Sequence, residues 1–236
     1  MAKKAPDLLF HAGHRDRLKA KLESDKLTSA EKLELLLTYA IPRRDVRPTA
    51  RALVQQFRSV YHVFNAPMDA LTRVPGVGRN TALLIKLVSE LMTVSYHDKL
   101  CDVQVLAEPF VLYEYLRKVL LKPTVEEVHV LYLDADKRLI HDETHSRGTF
   151  DKSNVYPDVI MRNALTFKAR NVILAHNHPM SDNQFSNDDI TLTQTIQNQL
   201  KFFNIDLLDH YVVTSNGTIH VLSETVWARK SSFFNK

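Results

Sequence analysis

Hydrophobic and polar positions along this chain follow two different periods, and the change from one to the other divides it. Up to about residue 99 the apolar residues recur at three- and four-residue spacing, as in helices that bury one face. Arg15 to Glu23 reads as a short basic helix. Thr28-Ser29-Ala30-Glu31 sets a hydroxyl cap and then an acid ahead of the apolar run through Ala40, and Pro42 ends that helix. Asp45-Val46-Arg47-Pro48 starts another, with Ala52, Leu53, Gln56 and Phe57 at helical spacing. A third follows Asn65-Ala66-Pro67-Met68, with proline near its first position. Residues 95–109 lose the period and gather polar residues, so they are the expected linker.

Beyond 102 a second pattern takes over. Phe110 to Leu121 predicts a helix closed by Lys122-Pro123-Thr124. Glu127 to Asp134 alternates with period two and, with Arg138-Leu139-Ile140, brackets the turn Ala135-Asp136-Lys137 as a hairpin. Residues 142–157 read as loop and Asp158 to Lys168 as helix, and Val172 to Ala175 form a short β-branched run suited to a buried strand. Ile190 to Phe202 predicts a helix with Ile190, Ile196 and Leu200 on one side. Two strands, Asp206–Thr214 and Thr218–Leu222, flank the hairpin signal Ser215-Asn216-Gly217. The expectation is an α+β protein of two domains, an all-helical one at 1–99 and a mixed-sheet α/β one at 102–227. The end, Lys230 to Lys236, is expected to fray, and Phe202, Phe203, Trp227, Phe233 and Phe234 to pack on or cover the sheet.

The chemistry concentrates after the buried strand, in His176-Asn177-His178-Pro179. In an extended chain residues i and i+2 face the same side, so His176 and His178 present their imidazoles together. Ser186 and Asp189 stand three apart where the next helix opens, with Ser186 as N-cap, so both occupy one face of its first turn. Two imidazoles and a carboxylate leave the fourth position of a tetrahedral zinc ion to water, the build of a catalytic rather than a structural site. His129, within the strand that begins at Glu127, and His141, His145 and His220, at strand ends or in loops, read as satisfied or solvated side chains; His210 beside Asp209 is the one other histidine to follow.

A second motif lies in the first half. Leu71-Thr72-Arg73-Val74-Pro75-Gly76-Val77-Gly78-Arg79 makes a Pro-Gly-x-Gly turn between two helices. Gly76 and Gly78 allow backbone shapes closed to other residues, the amides of the following helix start can meet a phosphate, and Arg73 and Arg79 flank the turn. Charge agrees in sign: residues 1–99 hold 17 Lys and Arg against 10 Asp and Glu, leaving 14 against 17 for the remainder. No apolar run approaches the roughly 20 residues of a membrane helix, the N-terminus lacks a signal-peptide core, and the single Cys101 fits a reducing cytoplasm.

The order His-x-His-x(7)-Ser-x-x-Asp resembles the JAMM motif of MPN-domain metalloproteases. Ala175-His176-Asn177-His178-Pro179 with Ser186, Asp189 and Ile190 looks most like the bacterial RadC (UPF0758) branch, and the likeness extends over nearly the whole chain. One departure is Met180-Ser181 where that branch usually has Ser-Gly, so the loop must turn without a glycine. The resemblance implies an MPN (JAMM, cytidine deaminase-like) fold, Zn2+ held by His176, His178 and Asp189, and hydrolysis of an amide or isopeptide bond in a protein or peptide. The proton-transferring Glu that opens the strand before the hairpin corresponds to Glu127, with Glu126 one step away on the opposite face, and Ser186 would support the oxyanion. It also implies a helix-hairpin-helix first domain in which Arg73, Gly76, Gly78 and Arg79 contact DNA. The alternative is a DNA-repair-associated protein whose metal domain is a nuclease or merely structural.

Overall fold

The computed structural model describes residues 8–42, 44–121, 125–148 and 155–225. The chain divides into two compact units, Met1–Met92 and Thr93–Lys236. The first unit is helical: α1 Leu8–Glu23, α2 Ser29–Ala40, α3 Arg47–Phe57, α4 Val60–Asn65, α5 Met68–Thr72 and the opening of α6, Arg79–Asp102. Thr28 and Glu31 close the anticipated capping box on α2, the Thr28 hydroxyl accepting from the Glu31 amide and the Glu31 carboxylate from the Thr28 amide. Leu33, Leu37, Leu53, Val63, Leu71 and Ile85 make the core. Helix α4, capped by Ser59, had no separate signal in the sequence.

Between α5 and α6 the Val77 amide donates to the Val74 carbonyl at 3.0 Å, and both valines are buried. Gly76 carries the turn at φ +86°, where a Cβ would stand 2.3 Å from Thr49 Oγ1, whereas a Cβ on Gly78 meets nothing within 4 Å. Only the first glycine is therefore demanded by the fold.

In the second unit a five-stranded sheet has the order β2-β1-β3-β4-β5, with β1 Glu126–Leu133, β2 Leu139–Gly148, β3 Asn171–His178, β4 Asp206–Thr214 and β5 Ile219–Val221. The β3–β4 pair is parallel and the others antiparallel. Helices cover both faces. Leu112, Leu116 and Leu120 of α7 (Pro109–Leu120) pack with Leu131, Leu133, Ile173 and Ala175. Ile160 and Ala164 of α8 (Pro157–Thr166) and Ile196 and Leu200 of α9 (Asn187–Lys201) pack with Val130, Tyr132, Val172 and Leu174. Strand parity thus sorts side chains between two buried layers, and it sorts those at the strand ends as well.

Three expectations are corrected. The linker at 95–109 is helical through Asp102, because Leu100 is fully buried in the second unit's core with Tyr96 and Cys101 against it. Residues 142–148 are strand rather than loop. Their polar sequence hid an edge strand with two carboxylates satisfied inward: Asp142 accepts from Tyr115 and lies 2.8 Å from His129 Nε2, and Glu143 accepts from Tyr132 and Asn163 at 2.7 Å each. Phe202 covers nothing, being 86% exposed. The expectations for Lys122–Thr124, for Thr149 to Asn154, and for Trp227, Lys230, Phe233, Phe234 and Lys236 fall outside the described residues. Among the described residues no helix is long and apolar enough to cross a membrane.

Gly76→Ala should lower the stability of the first unit by about 1–3 kcal/mol in urea unfolding through backbone strain, with the Thr49 clash adding to it. Gly78→Ala should change it by no more than about 0.5 kcal/mol.

Candidate metal centre

Strand β3 ends in the open between β1 and β4, with Val128 opposite His176 on one side and Val212 opposite it on the other. His176 continues the face of Val172 and Leu174, the side covered by α9, and His178 follows it on that side one pleat further. Helix α9 then brings a carboxylate. Ser186 caps it, its hydroxyl accepting from the Asp189 amide at 3.1 Å, while Asp189 Oδ2 accepts from the Ser186 amide at 2.7 Å. This capping box fixes the aspartate in the first turn, with Oδ1 on the side of His176 and Oδ2 on that of His178.

His176 Nε2 and His178 Nε2 lie 3.0 Å apart, Asp189 Oδ1 is 3.5 Å from the first, and Asp189 Oδ2 is 3.8 Å from the second. All three residues offer a ligand atom within 4.8 Å of the others, the one such group among the described residues. The donor set fits a cation. His178 Nδ1 stands 2.9 Å from the Asn183 carbonyl, which can only accept, so Nδ1 holds the proton and Nε2 keeps its lone pair. Burial alone would raise the Asp189 carboxyl, but His176, whenever that ring is charged, and the Ser186 hydroxyl and amide at all times hold it below the ordinary carboxylate range. It is therefore ionised at neutral pH, as a ligand must be.

Of the two neighbouring glutamates, the sequence-favoured Glu127 is the one turned away. Its carboxylate lies 3.0 Å from Arg147 Nε, its backbone amide donates to Asn177 Oδ1 at 2.7 Å, and it is buried. Strand parity sends it to the face of His129 and Leu131. Glu126 sits on the other face, that of Val128 and His176. It lines a space of about 20 Å³ shared with His176, Asp189 and His210, on the scale of one water molecule. Glu126 also lines an open cavity of about 460 Å³ with His178, Met180, Phe185 and Ser186. Of the two, it is Glu126 and not the expected Glu127 that lines the cavities beside the triad. The signal was present in the sequence as parity, but the strand's first residue could not be fixed without its partners.

Ser186 lies at the cavity wall, yet its hydroxyl donates to Asp189 Oδ2 at 2.7 Å. Its single proton is thus committed, and the oxyanion role expected of it is not offered in this arrangement. At Met180-Ser181 the chain turns with the Ser181 amide 3.4 Å from the His178 carbonyl, and neither residue has positive φ. His210 lies inside the site. Its Nε2 is 2.8 Å from His176 Nδ1, and burial, followed by the neighbouring His176, pushes its pKa well below the ordinary value. In the first unit Gly76 and Gly78 form the turn before α6; Arg79 is exposed at the helix start, and Arg73 is paired with Asp69 at 2.9 Å.

A family model described as a RadC-like JAB domain matches residues 106–226. Over 222 residues the chain is 37% identical to a UPF0758 protein of Fusobacterium nucleatum subsp. nucleatum, covering 90% of this chain and 96% of that one.

Protein incubated with Zn2+ or Co2+ and freed of excess by gel filtration should retain about one ion per chain, measured by plasma mass spectrometry. His176→Ala combined with Asp189→Ala should retain none, and equal metal content in the two would remove the triad as its holder.

Proposed function

This chain belongs to the RadC (UPF0758) family of proteins with a JAB domain, and from that premise we propose that it is a zinc-dependent hydrolase of amide or isopeptide bonds. The observation that carries the reading is the water-sized space bounded at once by Glu126, His176 and Asp189. His176, His178 and Asp189 are the residues that would hold the ion. A divalent cation bound there polarises a carbonyl and makes water a stronger acid. Glu126 takes the proton of the attacking water and returns it to the leaving amine, work suited to a carboxylate that is not itself a ligand. Ser186 keeps Asp189 oriented through the capping box. The substrate enters by the larger cavity, whose described lining holds no lysine or arginine and includes Pro179, Met180 and Phe185. That lining, with its apolar side chains and no cationic side chain beyond the ion to grip a phosphate backbone, favours an uncharged peptide segment over a phosphodiester. This supports amide hydrolysis over the nuclease alternative.

Glu126→Gln should reduce hydrolysis of fluorescent casein or of isopeptide-linked peptides by at least about 100-fold while leaving metal content unchanged. Glu127→Gln should instead lower the unfolding midpoint, because it disturbs a buried contact. Turnover by Glu126→Gln at the wild-type rate would sink the assignment.

For the first unit we infer a helix-hairpin-helix that meets the DNA backbone. Open space at Gly78 and exposed Arg79 at the start of α6 favour it. Binding to short duplexes should weaken with salt and be lost in Arg73→Glu with Arg79→Glu; undiminished affinity in that double variant would exclude the hairpin from DNA contact. In this reading the first unit delivers the second, a cytoplasmic enzyme, to protein substrates on DNA.

A further inference from the structure

Behind the metal triad runs a chain of buried polar groups that the reaction itself does not use. Thr193 lies one turn after Asp189 on α9, and its hydroxyl donates to the Asp189 carbonyl at 2.6 Å. Thr191 and Thr195 bond to the carbonyl four residues back in the same way, at 2.9 Å each. Thr193 alone of these three also touches an imidazole, lying 2.6 Å from His210 Nδ1. A hydroxyl has one proton, and the helix carbonyl already takes it, so the oxygen can only accept from His210. His210 Nδ1 therefore carries hydrogen. In a neutral imidazole that is 2% exposed, Nε2 is then bare, and it lies 2.8 Å from His176 Nδ1. His176 must donate across that contact, which leaves its own Nε2 without a proton and aimed at His178 and Asp189.

We propose that Thr193 and His210 are positioning residues that lock His176 in its Nδ1–H tautomer and so hold its Nε2 lone pair ready for the cation. This rests on the reading of the triad as a metal centre. A metal-bound histidine ordinarily passes its other ring hydrogen to a carboxylate, a carbonyl or water. Here the acceptor is a second imidazole, oriented in turn by a threonine on the same helix that supplies the carboxylate ligand. The arrangement ties two of the three ligands together behind the site: Asp189 through its backbone carbonyl and His176 through its ring. His178 is oriented separately, by the Asn183 carbonyl. Because Thr193 contacts both ends, a change at its hydroxyl should be felt as metal affinity without any group in the cavity being touched.

The test is cobalt affinity by chelator competition in full-length wild type, Thr193→Val, Thr193→Ser and His210→Phe, together with long-range 15N–1H spectra of the metal-free wild type. Thr193→Val and His210→Phe should bind Co2+ about 10- to 100-fold more weakly and show an altered visible spectrum, with circular dichroism unchanged. Thr193→Ser, which restores the hydroxyl, should recover both. The spectra should show Nδ1–H tautomers for neutral His176 and His210. Wild-type affinity in both weakened variants, or an Nε2–H tautomer at neutral His176, overturns the proposal while leaving the metal reading standing. A wild-type protein that takes up no cobalt overturns the metal reading and the proposal with it. Should His210→Phe fail to fold, the threonine pair and the spectra decide the question.

Discussion

Gathering three lone-pair donors at one point is the constraint around which the second unit is arranged. Two bare imidazole nitrogens 3.0 Å apart, with a carboxylate 3.5 and 3.8 Å from them, repel one another unless a cation or a proton lies between. Such a cluster persists only where the scaffold holds each group by something other than its neighbours in the cluster. Here His178 is held by the Asn183 carbonyl, Asp189 by the capping box with Ser186, and His176 by His210. Asn183 and Ser186 also line the open cavity, while His210 stands behind His176. The three donors are therefore held in place before any cation arrives, an arrangement that lowers the ordering cost of binding one.

The sheet makes this arrangement affordable. Burial on both faces means that a residue's parity decides which helix layer it meets, and the rule carries past the hydrophobic stretch to polar residues at the strand ends. Glu126 and Glu127 differ by one position and so by one face. One lines the cavities at the triad; the other sits with Arg147 and near Asn177, supporting the end of β1 against β3. The same parity places His129 on the α7 side, where with Tyr115 and His97 it surrounds Asp142. Burial would raise the Asp142 carboxyl, but hydrogen bonds from His129 and Tyr115 bring it down to about 2. That network resembles an active site in composition, yet its hydrogen bonds run among its own members.

Much of this was readable in the order of residues, where the determining physics is local. Caps, turns and periodicity act within a few positions, so Thr28 and Glu31, the Asn216-Gly217 hairpin and strand Asp206–Thr214 are found where the sequence puts them. The His176, His178 and Asp189 triad was equally visible, because its spacing combines the strand repeat of two with a helix start. What only the tertiary structure decided has its cause in contacts distant along the chain. The strand character of residues 142–148 comes from pairing with β1, and the persistence of α6 to Asp102 comes from burial of Leu100. The choice of Glu126 over Glu127 depended on the register of β1 against β3, which sets the face each carboxylate turns to. The part taken by His210 required a residue 34 positions from His176 to arrive within hydrogen-bond reach. A sequence states which donors and acceptors exist; only folding determines which of them meet, and hence which nitrogen is left bare.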